Sequence, residues 1–134
     1  MADQFILAPM RGVTDLVYRN CFSRQFSGID YAISPFADTV RGGQIKPSKY
    51  QEFSLEGNLI PVVPQLIGRN PEHLFSLARQ LFEMGHRHIN LNLGCPHPLR
   101  VKKGEGAGLI ADPRRVEEIL GRLDALEGMA VSVK

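Results

Sequence analysis

Residues 62–92, VVPQLIGRNPEHLFSLARQLFEMGHRHINLN, decide the fold. The apolar run Val62–Ile67 reads as a strand. Asn70 then stands as an N-cap with Pro71 at the first helical position, and Leu74, Leu77, Ala78 and Leu81 recur at the spacing of one helix face, with Gly85 as the stop. His88–Asn92 is a second apolar run. A strand, a helix of about this length and a second strand form the unit that joins two parallel strands, so the chain belongs to the α/β class.

Working outward, the same grammar repeats. Asp112 and Pro113 open a helix with a stripe of Val116, Ile119, Leu120 and Leu123, and Gly128 lies past its end, leading into a strand at Ala130–Val133. Upstream, Phe5–Ala8 and Tyr31–Ser34 read as strands. Between them a helix is expected with Thr14 as N-cap, Val13 and Tyr18 as a hydrophobic staple, and Val17, Cys21 and Phe22 as its inner stripe, which puts Cys21 in the core. Two features resist the pattern. Pro64 leaves a ladder hydrogen bond unmade inside the third strand, and Phe36–Asn58 has no helical stripe and reads as loop with one short helix.

Five strands alternating with helices match slightly more than half of a (β/α)8 TIM barrel, which takes about 250 residues. Residues 1–134 are therefore expected to be part of such a barrel. An open array leaves parallel edges uncovered, and the sequence stops at Lys134 directly after a strand. The expectation is a slice of a longer protein.

Composition sets wide bounds. Hydrophobic residues make up 43% and charged residues 22%, as in ordinary folded chains, which argues against disorder. No apolar run reaches the roughly 18 residues that span a bilayer, and the N-terminus lacks a signal-peptide pattern, so the expected compartment is the cytoplasm. Net charge is +2, with eleven arginines among sixteen basic residues, which permits a nucleic-acid partner without requiring one. Cys21 and Cys95 are far apart and belong to no metal-ligand spacing, nor do His73, His86, His88 and His97. Free thiols and no metal are expected, with His97, two residues past Cys95, as a minor site candidate.

In a barrel of this kind the active site forms at the C-terminal ends of the strands: here Ala8–Met10, Ser34–Pro35, Gln65–Gly68, Asn92–Pro96 and Lys134. Gln65, Asn92, Cys95 and Lys134 are polar residues directly after apolar strands, where packing does not call for them. Singly each has an ordinary reading: an inert thiol, a solvated lysine, amides capping strand ends. Their convergence is the stronger observation. Arg100-Val101-Lys102-Lys103 follows the cysteine and, with Arg11 and Arg41, would make a local phosphate-binding patch. Gly104–Gly108 does not join a strand to a helix N-terminus as a dinucleotide loop would, and reads as a mobile loop beside the site.

The chain resembles the tRNA-dihydrouridine synthases through Ile6-Leu7-Ala8-Pro9-Met10-Arg11-Gly12-Val13-Thr14-Asp15, Gln65-Leu66-Ile67-Gly68, Asn90-Leu91-Asn92-Leu93-Gly94-Cys95-Pro96 with Lys103 and Gly104-Glu105-Gly106-Ala107-Gly108-Leu109, and Val131-Ser132-Val133-Lys134. The motifs span the whole chain in order, and the cysteine run is the most specific of them. The resemblance implies a TIM barrel that reduces the C5–C6 bond of tRNA uridines with FMN and NADPH. Pro9 and Met10 would lie along the flavin edge, Gln65 would hydrogen-bond its ring, and Lys134 would approach its N1/O2 side. Cys95 would be the proton donor, while Asn92, Arg100 and Lys103 would contact substrate.

The resemblance further implies that the last barrel strands, which carry the flavin phosphate site, and a helical tRNA-binding domain lie outside these residues. The isolated chain is therefore expected to bind FMN weakly or not at all and not to turn over, and the full-length protein is expected to be monomeric. Asn90 stands where the family commonly has Asp, and Gly108 where it has a small residue with a side chain. The enzyme alternative is an FMN barrel of the dihydroorotate or dihydropyrimidine dehydrogenase kind acting on free pyrimidines; the non-enzymatic one is an RNA-binding remnant.

Overall fold

The computed structural model describes residues 3–37, 39–40 and 43–134. Strand β1 (Ile6–Leu7) is followed by helix α1 (Leu16–Gln25) and β2 (Tyr31–Ile33); a small antiparallel ribbon, β3 (Thr39–Val40) and β4 (Gln44–Ile45), then leads into a 3-10 helix at Pro47–Phe53. The segment that decides the fold appears as β5 (Val62–Val63), β6 (Gln65–Leu66), helix α2 (Pro71–Glu83) and β7 (His88–Leu91). A short helix α3 (Pro98–Lys102), a 3-10 helix at Gly106–Ala111, helix α4 (Pro113–Asp124) and β8 (Ala130–Val133) complete the chain.

Apart from the ribbon, every strand pairing is parallel among the described residues. β1 pairs with β2 and β2 with β5, while β6 pairs with β7 and β7 with β8. β5 and β6 are the expected third strand, broken at Pro64, which has no N–H to give the ladder. Its carbonyl still accepts from the Asn90 amide at 2.9 Å, so the break changes pairing partner without ending the array. Strand order therefore follows chain order, as in the first strands of a (β/α)8 barrel. The chain is α/β with parallel sheets.

Why the sheet faces as it does follows from β7. Its residues alternate: Ile89 and Leu91 turn into the apolar core with Leu66, whereas His88, Asn90 and Asn92 occupy the opposite face. Leu74, Leu77, Ala78 and Leu81 of α2 and Ile119 and Leu123 of α4 are buried in that core. Both helices begin as the sequence indicates, with the Asn70 side chain accepting from the His73 amide and that of Asp112 from the Arg115 amide. α2 ends at Gly85, where the Gly85 and His86 amides turn back onto the carbonyls of Phe82 and Leu81. The two helices cover one sheet face and leave the polar face open to the site.

Helix α1 departs from expectation. Its N-cap is Asp15, whose side chain accepts from the Tyr18 amide at 2.9 Å; Thr14 instead turns its hydroxyl onto the Met10 main chain. Cys21 is exposed and Val17 is 68% exposed, so neither lies in the core. The inward residue is Arg19, with no accessible surface, which donates to the carbonyls of Thr14 and Glu52, the Glu52 carboxylate and Asn58 Oδ1. The segment that α1 packs against offers oxygens, not methyl groups, and so selects the guanidinium over the apolar stripe.

Within 36–58 the expected short helix is the 3-10 turn at Pro47–Phe53, which buries Phe53. The ribbon is a feature the sequence pattern does not announce. It is held to α2 by Gln80, whose Oε1 accepts from the Ile45 amide (3.1 Å) and whose Nε2 donates to the Gly43 carbonyl (2.8 Å).

Candidate functional site

The polar sheet face is organised in rows by strand register. Gln65 stands beside Asn90, and Asn90 beside Ser132. Gln65 Nε2 donates to Asn90 Oδ1 at 2.7 Å, and Asn90 Nδ2 donates to Ser132 Oγ at 2.9 Å. One row further along, Asn92 Nδ2 donates to Gln65 Oε1 at 2.9 Å. Ser34, at the end of β2 and fully buried, accepts from the Gln65 amide at 3.1 Å. Gln65 is thus fixed through backbone and side chain together, with 1% of its surface accessible.

Asn92 connects this row to the cysteine loop. Its Oδ1 accepts from the amides of Gly94 (3.0 Å) and Cys95 (2.8 Å), an Asx turn that sets the loop's course as it leaves β7. The Cys95 carbonyl in turn accepts from the Ala107 amide at 3.0 Å, and the half-buried Cys95 carries a free thiol. Gly106 lies against it: a Cβ at that glycine would stand 2.8 Å from the Cys95 carbonyl oxygen and 2.9 Å from its Cβ. Gly108 is pressed against Val101 in the same way, a Cβ there falling 2.5 Å from the Val101 carbonyl oxygen. This accounts for a glycine at 108. The segment expected as a mobile loop is therefore a packed 3-10 turn with Gly106 and Leu109 buried.

Lys134 enters the same neighbourhood through its main chain. Its amide donates to Leu91 O (3.0 Å) and its carbonyl accepts from the Leu93 amide (2.8 Å), two residues before Cys95. Two positions beyond Ser132, it falls by strand alternation on the face that holds Asn90 and Asn92. At the other end of the array, Pro9 and Met10 follow β1. The Met10 amide donates to the Thr14 hydroxyl (2.8 Å), and the Met10 carbonyl accepts from the Val13 and Thr14 amides (3.0 Å each), so the turn is locked while the Met10 side chain stays exposed. Pro9 and Met10 are related to the Gln65–Cys95 group by strand order, β1 lying beside β2 and β2 beside β5.

Of the basic residues, Arg100 pairs with Glu105 at 2.8 Å and lies 5.1 Å from the centre of the Phe36 ring, which also carries Arg11 at 5.2 Å. Arg100 thereby ties α3 to the turn over Cys95. Lys103 is exposed at the C-cap of α3. Arg41 lies outside the described residues. His97 is exposed at the start of α3 and makes no side-chain cap bond.

Two histidines prove structural. His86 Nε2 donates to the Phe53 carbonyl at 2.7 Å, and burial pushes its pKa below the usual histidine value against the raising effect of that bond. His88 meets Ser132 Oγ at 2.9 Å, and burial lowers its pKa too, so both favour the neutral ring. Among the described residues no group of three or more His, Cys, Asp and Glu is arranged to hold a metal ion, and no helix is long and apolar enough to cross a membrane.

Sequence reasoning names Gln65, Asn92, Cys95 and Lys134; the structure joins the first three by hydrogen bonds and brings the Lys134 main chain onto Leu91 and Leu93 on either side of Asn92. That reasoning places Ser34 at a strand end of the expected site without giving it a role, and it misses Asn90 and Ser132 as parts of the site. The signal for both is present: Asn90 and Ser132 lie on the same strand face as Asn92 and Lys134, two residues earlier in each case.

Comparison with known proteins gives a consistent answer. The family model described as Dihydrouridine synthase (Dus) matches residues 6–134. A probable tRNA-dihydrouridine synthase of Staphylococcus epidermidis is 36% identical over 97% of this chain and 40% of its own length, and one of Staphylococcus aureus is 37% identical with the same coverage. A probable tRNA-dihydrouridine synthase 2 of Bacillus subtilis is 31% identical, again over 97% of this chain and 40% of the relative. The chain thus spans about two fifths of the length of the curated relatives it matches.

Proposed function

We propose, from the premise that this chain belongs to the dihydrouridine synthase family, that its strand-end cluster is half of a flavin site at which a uridine of tRNA is reduced. The observation that carries the reading is the continuous bonding from Gln65 through Asn92 to the Cys95 loop. On this reading the array is the first part of a closed (β/α)8 barrel, residues 1–134 are the N-terminal part of the catalytic domain, and the whole protein works as a cytoplasmic monomer.

The donor set suits a flavin. After its bonds to Asn90 and Asn92, Gln65 keeps one amide N–H and one carbonyl lone pair, and Asn92 keeps one N–H. These neutral, directional groups match the alternating acceptors and donor of the flavin pyrimidine edge. Met10 and Pro9 supply the apolar wall beside it, and the Lys134 ammonium would favour negative charge at the N1/O2 side of the ring. Bound beside these groups, FMN reduced by NADPH would be the source of the hydride for C6 of the uracil.

The remaining work falls to this chain. A proton must reach C5, and a thiol S–H is a group able to give one. The Asx turn and the Ala107 bond hold Cys95 by its main chain on both sides, so the loop that carries the thiol is set before substrate arrives. Asn92 contributes mainly by shaping this turn, with its remaining N–H available to a uracil carbonyl. A base presented here must leave its stack. Arg100 and the exposed Lys103 border the entrance where the RNA backbone would pass.

The test is to incubate the whole protein, FMN and NADPH with unmodified tRNA and, separately, with uracil and other free pyrimidines. Dihydrouridine formed in tRNA, with NADPH consumed faster than with the free bases, supports the proposal. Preference for the free bases supports a dehydrogenase of small pyrimidines in its place.

A further inference from the structure

The directions of the hydrogen bonds in the polar row can be fixed from one end. The backbone N–H groups of Gly94 and Cys95 can only donate, so Asn92 must face them with Oδ1 and present Nδ2 to Gln65. Gln65 must then accept with Oε1, which turns its Nε2 to Asn90, and Asn90 must accept with Oδ1 and donate with Nδ2 to Ser132 Oγ. Each amide has one orientation that satisfies both neighbours. Flipping any of them sets two donors or two acceptors against each other.

We infer that Asn90 and Ser132 are positioning residues, which act through Gln65 and Asn92 to hold the Cys95 loop and the site-facing atoms of Gln65 in one orientation. The inference rests on the proposed function for its catalytic consequence, and on the bonding pattern alone for its structural part. Neither residue touches the thiol: Asn90 is separated from the Cys95 amide by two side chains, and Ser132 by three. Ser132 ends the row against the strand, its hydroxyl donating to the Ile89 carbonyl at 3.3 Å while His88 Nε2 stands 2.9 Å away. All members are uncharged, and Gln65, Asn90 and Asn92 are buried.

This chemistry explains how an acid can occupy position 90 without reversing the row. An Asp there would still accept from Gln65 Nε2, and its second oxygen would take the Ser132 proton if that hydroxyl turned from Ile89. A leucine would accept nothing, leaving the buried Gln65 Nε2 without a partner and the carboxamide held by the Asn92 bond alone.

The test is backbone amide exchange in the whole protein without added flavin, comparing wild type with Asn90→Leu, Asn90→Asp and Ser132→Ala. Exchange at Gly94 and Cys95 should rise about tenfold in Asn90→Leu, as expected for loss of a hydrogen bond of ordinary strength, less in Ser132→Ala, and return near wild type in Asn90→Asp. The Asn92 and Lys134 amides, bonded to the carbonyls of Leu66 and Leu91, should stay unchanged. Unaltered exchange at Gly94 and Cys95 in Asn90→Leu, equal acceleration at Asn92 and Lys134, or failure of Asn90→Asp to restore protection would each overturn the inference. With tRNA, Asn90→Leu should lower kcat at constant KM and Asn90→Asp should recover it. If the exchange pattern holds while the wild type forms no dihydrouridine, the positioning row stands and the tRNA reading fails.

Discussion

Replacing Gly106 with alanine tests how tightly the turn is seated on the cysteine. Gly106 has a φ of 57°, where an L side chain costs about 1–2 kcal/mol. The added methyl would also meet the Cys95 carbonyl oxygen at 2.8 Å and the Cys95 Cβ at 2.9 Å. Neither atom yields easily, because the Asn92 carboxamide and the Ala107 amide hold Cys95 from two sides. Overpacking of that kind adds about 1–3 kcal/mol, for a total of about 2–5 kcal/mol. Gly28 is the matched control: its φ is 90° and nothing lies within 4 Å of the position a methyl would take, so Gly28→Ala should cost only the backbone part, about 1–2 kcal/mol. Denaturant unfolding of the two variants side by side gives the steric share by difference, and the alkylation rate of Cys95 should change in Gly106→Ala alone. Equal destabilisation, with Cys95 alkylated at the wild-type rate in both, would refute the close seating of the turn.

Arg19→Met removes a fully buried guanidinium, leaving the Thr14 carbonyl without its donor and taking from Glu52 the cation that pairs with its carboxylate. Urea unfolding should show a loss of about 3–5 kcal/mol, and a loss under about 1 kcal/mol would contradict the network. Acidification acts through His86 and His88, whose pKa values are held below the ordinary 6.5 by burial. The native state resists protonating them, so their contribution to stability is present above pH 6.5 and is lost as pH falls towards and through the lowered folded values. Unfolding measured from about pH 8 to about pH 5 should show declining stability, with a shallower decline in His86→Gln; identical slopes in both proteins would count against it.

Legibility in the sequence followed the range of the forces involved. The unit from Val62 to Asn92 and helix α4 were readable because their caps, stripes and stops lie within one or two turns of each other. Helix α1 was misread because its inward residue is chosen by Glu52 and Asn58, more than thirty positions away, and no local period reports an arginine's distant partners. The pairing of β3 with β4 is not legible for the same reason, since Gln80 of α2 holds Gly43 and Ile45. At the site, Gln65, Asn92, Cys95 and Lys134 stood out as polar residues at apolar strand ends. Ser34 and Ser132 did not, because a serine inside a strand is ordinary until register sets it beside an amide.

The most direct measurement is single-turnover formation of dihydrouridine in tRNA by the NADPH-reduced whole protein, wild type against Cys95→Ala. The alanine variant should take up electrons from NADPH at the wild-type rate and yield dihydrouridine at least about 100-fold more slowly, the usual contribution of a general acid. Product formed by Cys95→Ala at the wild-type rate would contradict the assignment of the thiol as the proton source.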